Sequence, residues 1–162
     1  MQQTMIQPGQ KLPEYTFRVA TTEGPATKST TEIFAGRKVV LFAVPGAFTP
    51  TCNNNHLPGY IANIDAMKAK GVETVAVVAV NDVFVMGAWG KSNNAIDKLL
   101  FLADGSAEFT RSIGMELDRI AAGMGIRSKR YSMLVEDGVV KTVNIDDSGL
   151  NSTTAEVMLG QI

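Results

Sequence analysis

Two valine-rich, largely apolar runs, KVVLFAV (Lys38–Val44) and VETVAVVAV (Val72–Val80), restrict the folds open to this chain more than any other feature. A strand with one wet face alternates apolar and polar residues, whereas a continuous run marks a strand covered on both faces. Both runs therefore belong inside a sheet with helices on each side. Between them the chain reads as a helix from about Pro50 to Lys70, ending at Gly71. Ile61, Ile64, Met67 and Lys68 follow helical spacing, and Pro58 is expected to kink it.

The flanking segments fit the same picture. YTFRVA (Tyr15–Ala20) reads as a strand, and TTEIFAGR as a short helix with Thr30 or Thr31 as cap and Gly36 as stop. DVFVMGAWGKS reads as a short helix, LLFLAD (Leu99–Asp104) as a third strand and AEFTRSIGM as a further helix. RYSMLV and VVKTVNI flank Asp137-Gly138 and predict a hairpin, followed by a closing helix capped by Thr153 or Thr154. The 162 residues suit one domain, 1–162, of the α/β class: a thioredoxin-like three-layer sandwich with a mixed central sheet flanked by helices.

Charge and composition remove several classes of function. A net charge of −1 provides no field to draw nucleic acid or an acidic membrane surface. No run approaches the ~20 apolar residues of a membrane helix. The opening residues lack a basic segment followed by an apolar one, and one cysteine forms no internal disulfide, so the expected location is cytoplasmic. With one Cys and one His, a Cys/His zinc site within the chain is excluded. GAWGKS (Gly87–Ser92) ends like a phosphate-binding loop, but Val85 stands where the first glycine is required.

That single cysteine and single histidine share one stretch, AVPGAFTPTCNNNH (Ala43–His56). With Thr49 at the N-cap, Pro50 takes the first helical position and Cys52 the third. Free backbone N–H groups and the helix dipole there favour a thiolate. The same position also suits a cysteine packed as a small apolar residue. Spacing leaves both readings open. Cys52 and His56 at i, i+4 could be read as a hydrolase pair. That spacing leaves little room for a substrate carbonyl, and a structural role for His56 near the helix start is preferred.

PGAFTPTC, with Pro45, Thr49 and Cys52, resembles the active-site motif of the peroxiredoxins. VPGAFTPTC together with HLPGY is similar to the atypical type II, or peroxiredoxin-five-like, branch. AAGMGIRSKRYSMLVEDGVV (Ala121–Val140) resembles the segment carrying that family's active-site arginine, and the matches run from Lys38 to about Leu150. The resemblance implies a thiol peroxidase in which Cys52 attacks a hydroperoxide and becomes a sulfenic acid. Thr49 would bond the substrate oxygen or the sulfur. Arg127, chosen over neighbouring Arg130, would hold thiolate and peroxide, Pro45 would roof the pocket, and the Gly46 N–H would face the peroxide. No cofactor or metal is implied.

Many relatives carry a second, resolving cysteine near the C-terminus, where this chain has Ser152. The resemblance therefore implies a one-cysteine enzyme reduced by an external thiol: glutathione, with or without glutaredoxin, or thioredoxin. It also implies a homodimer near the active-site loop, with Trp89 and Phe84 as subunit contacts, although both suit a core equally well. The alternative is a non-catalytic redox sensor or chaperone that uses Cys52 oxidation as a switch.

Overall fold

A computed structural model describes residues 4–162. Its centre is a seven-stranded mixed sheet. The two apolar runs form adjacent parallel strands, β3 (Lys38–Ala43) and β4 (Thr74–Ala79), in register from Val39↔Thr74 to Ala43↔Val78. β5 (Leu100–Ala103) extends the parallel set, and β1 (Thr16–Thr21) and β2 (Gly24–Ser29) add an antiparallel hairpin beyond it. On the other side β8 (Arg130–Glu136) pairs antiparallel with β3, and β9 (Val139–Asp146) closes that edge.

Alternation along β3 divides its side chains between two cores. Val40 and Phe42 face a cluster containing α2 (Leu57–Ala69), α3 (Val83–Ser92) and α5 (Ala155–Leu159), with Tyr60, Met67, Trp89 and Met158 fully buried. Val39, Leu41 and Ala43 face a second cluster with α1 (Thr30–Phe34) and α4 (Glu108–Ser112), including Phe34 and Phe109. Each fully buried Val, Leu or Phe contributes about 1.5–3 kcal/mol relative to exposure. Covering both faces is thus what makes the apolar runs stable as strands. The three-layer, thioredoxin-like sandwich matches the expectation.

The differences are local. α1 is capped by Ser29 in a reciprocal capping box with Glu32, one residue before the expected Thr30. The β8–β9 turn is at Asp137-Gly138 as expected, and both residues have positive φ (49° and 76°), as a tight right-twisting hairpin requires. β2 and a small separate sheet of β6 (Glu116–Arg119) and β7 (Gly125–Ser128) were not expected from their polar sequences. The irregularity in the long helix is a π-helical turn at Cys52–His56 that runs directly into α2, with Pro58 in the first turn of α2.

Candidate active site

Cys52 follows the loop that leaves the carboxyl end of β3, between strand pairing and the start of the helix. Val44 N–H still donates to Val78 O (3.2 Å), so the loop starts from a fixed point. Beyond it, side chains hold the backbone. Ala47 N–H donates to Asn81 Oδ1 at 3.0 Å, and the Thr49 hydroxyl donates to Gly46 O at 2.7 Å. Phe48, between them, has φ 65°, an uncommon left-handed conformation for a non-glycine residue. The helix begins at Pro50, as expected. The Thr49 hydroxyl turns back to Gly46 instead of capping that helix, which leaves its oxygen lone pairs to accept from a substrate.

Gly46 sits in a crowded place. A Cβ there would lie 3.1 Å from both Arg127 Nη1 and Thr49 Cγ2, inside ordinary van der Waals contact. On the helical side, Trp89 Nε1 donates to Asn53 Oδ1 at 2.8 Å. Trp89 is therefore a core residue that braces the turn beside the cysteine, whereas Phe84 is 74% exposed. Cys52 itself is fully buried.

The arginine at the sulfur is Arg130. Its Nη2 donates to Cys52 Sγ at 3.2 Å and its Nη1 donates to His56 Nδ1 at 2.7 Å. The expected choice of Arg127 is corrected by strand geometry. Ala43 pairs with Tyr131, so Arg130 opens β8 beside the point where β3 gives way to the Cys52 loop. Alternation then puts Arg130 on the face of Leu134, towards α2, while Tyr131, Met133 and Val135 take the opposite face. Arg127 belongs to β7 of the small sheet, opposite Leu117. Its Nε donates to Met124 O (2.8 Å) and its Nη1 to Val80 O (3.4 Å). It packs behind Gly46 as a brace of the loop. Following alternation back from the Asp137-Gly138 turn would have distinguished the two arginines.

His56 does not face the sulfur as a hydrolase base would. Its Nε2 bonds Thr153 O at 3.0 Å, and the Tyr60 hydroxyl donates to the same oxygen at 2.9 Å. Burial, and after it the Arg130 charge, push the imidazole down to about 4, so it is neutral at physiological pH. The segment carrying Thr153 is fixed in turn by Asp146. That carboxylate receives the N–H groups of Asn151, Ser152 and Thr153 and the Thr153 hydroxyl. Burial would raise the Asp146 carboxyl, but these donors outweigh it and hold the group below its usual range. Ser152 lies exposed in this segment.

A buried sulfur facing a guanidinium, next to a loop that offers a hydroxyl oxygen, is suited to stabilising negative charge as a bond to sulfur forms and another breaks. The comparisons agree with this chemistry. The redoxin family pattern matches residues 7–159. The chain is 42% identical over 159 residues to the chloroplastic Peroxiredoxin-2E of Arabidopsis thaliana, covering 95% of this chain and 68% of the relative. It belongs to the peroxiredoxins. Within them it is a type II, peroxiredoxin-five-like member with one cysteine. The reduced Prx3 of Vibrio vulnificus, solved in complex with H2O2, superimposes with a TM-score of 0.92 at 49% identity, covering 97% of this peroxiredoxin and 99% of that chain. As a peroxiredoxin, the protein is a thiol peroxidase.

The cytoplasmic expectation is overturned by the same relatives. Peroxiredoxin-2E is chloroplastic, and Peroxiredoxin-2F of Arabidopsis thaliana, 44% identical over 146 residues (86% of this chain, 73% of the relative), is mitochondrial. Composition and the opening residues do not assign a compartment to this peroxiredoxin.

Proposed function

We propose that this peroxiredoxin reduces hydrogen peroxide and alkyl hydroperoxides with Cys52 alone, and that an external thiol restores it. The Cys52 thiolate attacks the terminal oxygen of the hydroperoxide. A sulfur–oxygen bond forms, the O–O bond breaks, and the leaving oxygen takes a proton and departs as water or an alcohol. Arg130 stabilises charge on the sulfur and on the leaving oxygen. Thr49 Oγ1 accepts a hydrogen bond from the peroxide O–H while its own hydroxyl hydrogen stays on Gly46 O. Pro45 roofs the pocket, and the Gly46 backbone faces the substrate. The observation that carries this reading is the Arg130 Nη2 contact with Cys52 Sγ at 3.2 Å, in a chain with no other cysteine.

The sulfenic acid then condenses with an incoming thiol, releasing water and leaving a mixed disulfide. A second thiol displaces Cys52 from it. The reductant is glutathione, with or without glutaredoxin, or thioredoxin. A cleft of about 100 Å³ that shares Pro45 and Arg130 with the site also presents Arg119, Lys129, Asp146 and Asp147. Asp146 is committed to the Asn151–Thr153 segment, but Arg119, Lys129 and Asp147 leave charges of both signs in the cleft for a zwitterionic thiol such as glutathione. A homodimer is part of the proposal, since Phe48 on the active-site loop and Phe84 at the start of α3 expose large apolar side chains (47% and 74%).

Steady-state turnover with each reductant, together with mass spectrometry of Cys52, tests the reading. Continuous peroxide consumption through a Cys52 sulfenic acid is expected. A redox sensor would consume one equivalent and stop, and a Cys52→Ser protein with undiminished turnover would overturn the mechanism. Lys129→Glu is expected to raise the KM for glutathione several-fold without slowing oxidation of Cys52. Sedimentation at micromolar concentration is expected to show a dimer.

A further inference from the structure

We propose that His56 is a positioning residue for peroxide reduction: by accepting a hydrogen bond from Arg130 Nη1–H at Nδ1, it fixes the guanidinium so that Nη2 faces Cys52 Sγ. The inference rests on the peroxidase reading above. It explains why the chain's single histidine is buried within four residues of its single cysteine without touching the sulfur.

The two bonds of His56 define its chemical form. Arginine has only donors, so Nδ1 must accept; a carbonyl only accepts, so Nε2 must carry the hydrogen that goes to Thr153 O. Both ring nitrogens are engaged at hydrogen-bond distance, 2.7 and 3.0 Å. The ring is held from the sides as well. Phe42 and Tyr60 lie with centroids 4.9 and 5.5 Å from it, and the residue is 1% exposed. A guanidinium at the end of a long side chain has several rotamers, and an acceptor on this fixed ring selects the one in which the second amino group reaches the sulfur. Tyr60 and the Asp146 clamp hold Thr153 O, so the anchor extends from Arg130 to the segment containing Ser152.

A proton on Nδ1 would replace this acceptor with a donor and face one cation with another. The charged and titratable groups around the ring are Arg130 from β8, Asp146 from β9, Tyr60 from α2 and Cys52 from its own turn. The bond to Thr153 O and, after it, Asp146 favour the protonated ring. Burial and Arg130 oppose it more strongly.

The test uses the complete chain and stopped-flow oxidation of pre-reduced protein by hydrogen peroxide from pH 3.5 to 7. His56→Leu, which removes the acceptor, is expected to slow oxidation by about 100-fold at pH 7, the scale of an ångström-level misplacement. His56→Asn keeps an acceptor oxygen near the Nδ1 position and is expected to recover most of that loss. The advantage of wild type over His56→Asn should shrink as pH falls through about 4, because only the imidazole gains a proton there. A merely structural histidine would give a ratio independent of pH, and equal losses in the two variants would overturn the proposal. Nitrogen-15 NMR of the single histidine provides a readout apart from activity. The neutral Nε2–H form should persist to about pH 5, and an Nδ1–H tautomer or titration near 6.5 would refute the geometry. Fast wild-type oxidation with both variants unimpaired would remove only this inference, whereas slow wild-type oxidation would remove the peroxidase reading with it.

Discussion

Phe42 of β3 and Tyr60 of α2 stack face to face, with ring centroids 3.9 Å apart and planes 7° from parallel. The stack presses the helix that follows Cys52 onto the central strand and aims the Tyr60 hydroxyl at Thr153 O. Tyr60→Phe keeps the stack and removes only that hydroxyl. Thr153 O retains its bond from His56, so the expected loss is about 0.5–1.5 kcal/mol, the usual net value of one hydrogen bond. Urea unfolding measures it, and an unchanged midpoint would show that the bond adds no net stability.

Arg130 and Arg127 separate in a direct comparison. Removing a donor aimed at developing charge typically costs about 100- to 1,000-fold in rate, and Arg130→Met is expected to fall in that range for Cys52 oxidation. Arg127→Met removes a brace of the Gly46 loop and should cost less than about 10-fold, with part of the effect in stability. Rate constants from stopped flow decide it. The reverse ranking would place the working guanidinium on β7.

His56 should make the fold acid-sensitive. Its value is about 4 when folded against 6.5 when free, so the unfolded chain takes up a proton first as pH drops. Stability from this source is complete above about pH 6.5, declines between 6.5 and 4, and is constant below. The total loss is about 3 kcal/mol at 1.36 kcal/mol per unit. Denaturant midpoints across that window should fall in wild type and flatten in His56→Asn.

Asp146 contributes in a lower window. Its carboxyl is held down in the folded state, so the stability it supplies is present above the ordinary aspartate value and is lost as pH falls through the folded one. Asp146→Ala leaves three backbone N–H groups and the Thr153 hydroxyl without their acceptor, at a cost of about 1–3 kcal/mol. Amide exchange at Asn151–Thr153 should accelerate in the variant, and protection equal to wild type would show that the clamp is dispensable.

The sheet centre was legible because β3, β4 and β5 are buried on both faces and must be written in apolar residues. β2 was not, since GPATKS sits at an edge where nothing needs to be apolar, and the β6–β7 pair likewise has intermediate or exposed positions throughout apart from Ser128. Cys52 and Thr49 could be placed because Thr-Pro marks a helix start. Arg130 was missed for a different reason: its proximity to Cys52 spans 78 residues and depends on β8 pairing with β3, a contact invisible to local reading. The role of His56 was hidden in the same way, since both of its partners come from distant strands and loops.

β8 and β9 differ in how they can tolerate a change of chain length. β9 already contains an extra residue at Lys141, where pairing steps from Leu134↔Thr142 to Val135↔Val140, and as an edge strand it can absorb another irregularity. β8 lies between β3 and β9 and has no such slack. Deleting one residue between Ser132 and Val135 would turn everything upstream to the opposite face, sending the Arg130 guanidinium into the apolar layer that now holds Tyr131. A two-residue deletion would preserve the facing but withdraw the side chain by one repeat. Odd and even deletions in this strand therefore have different consequences, one inverting the site and the other shortening its reach.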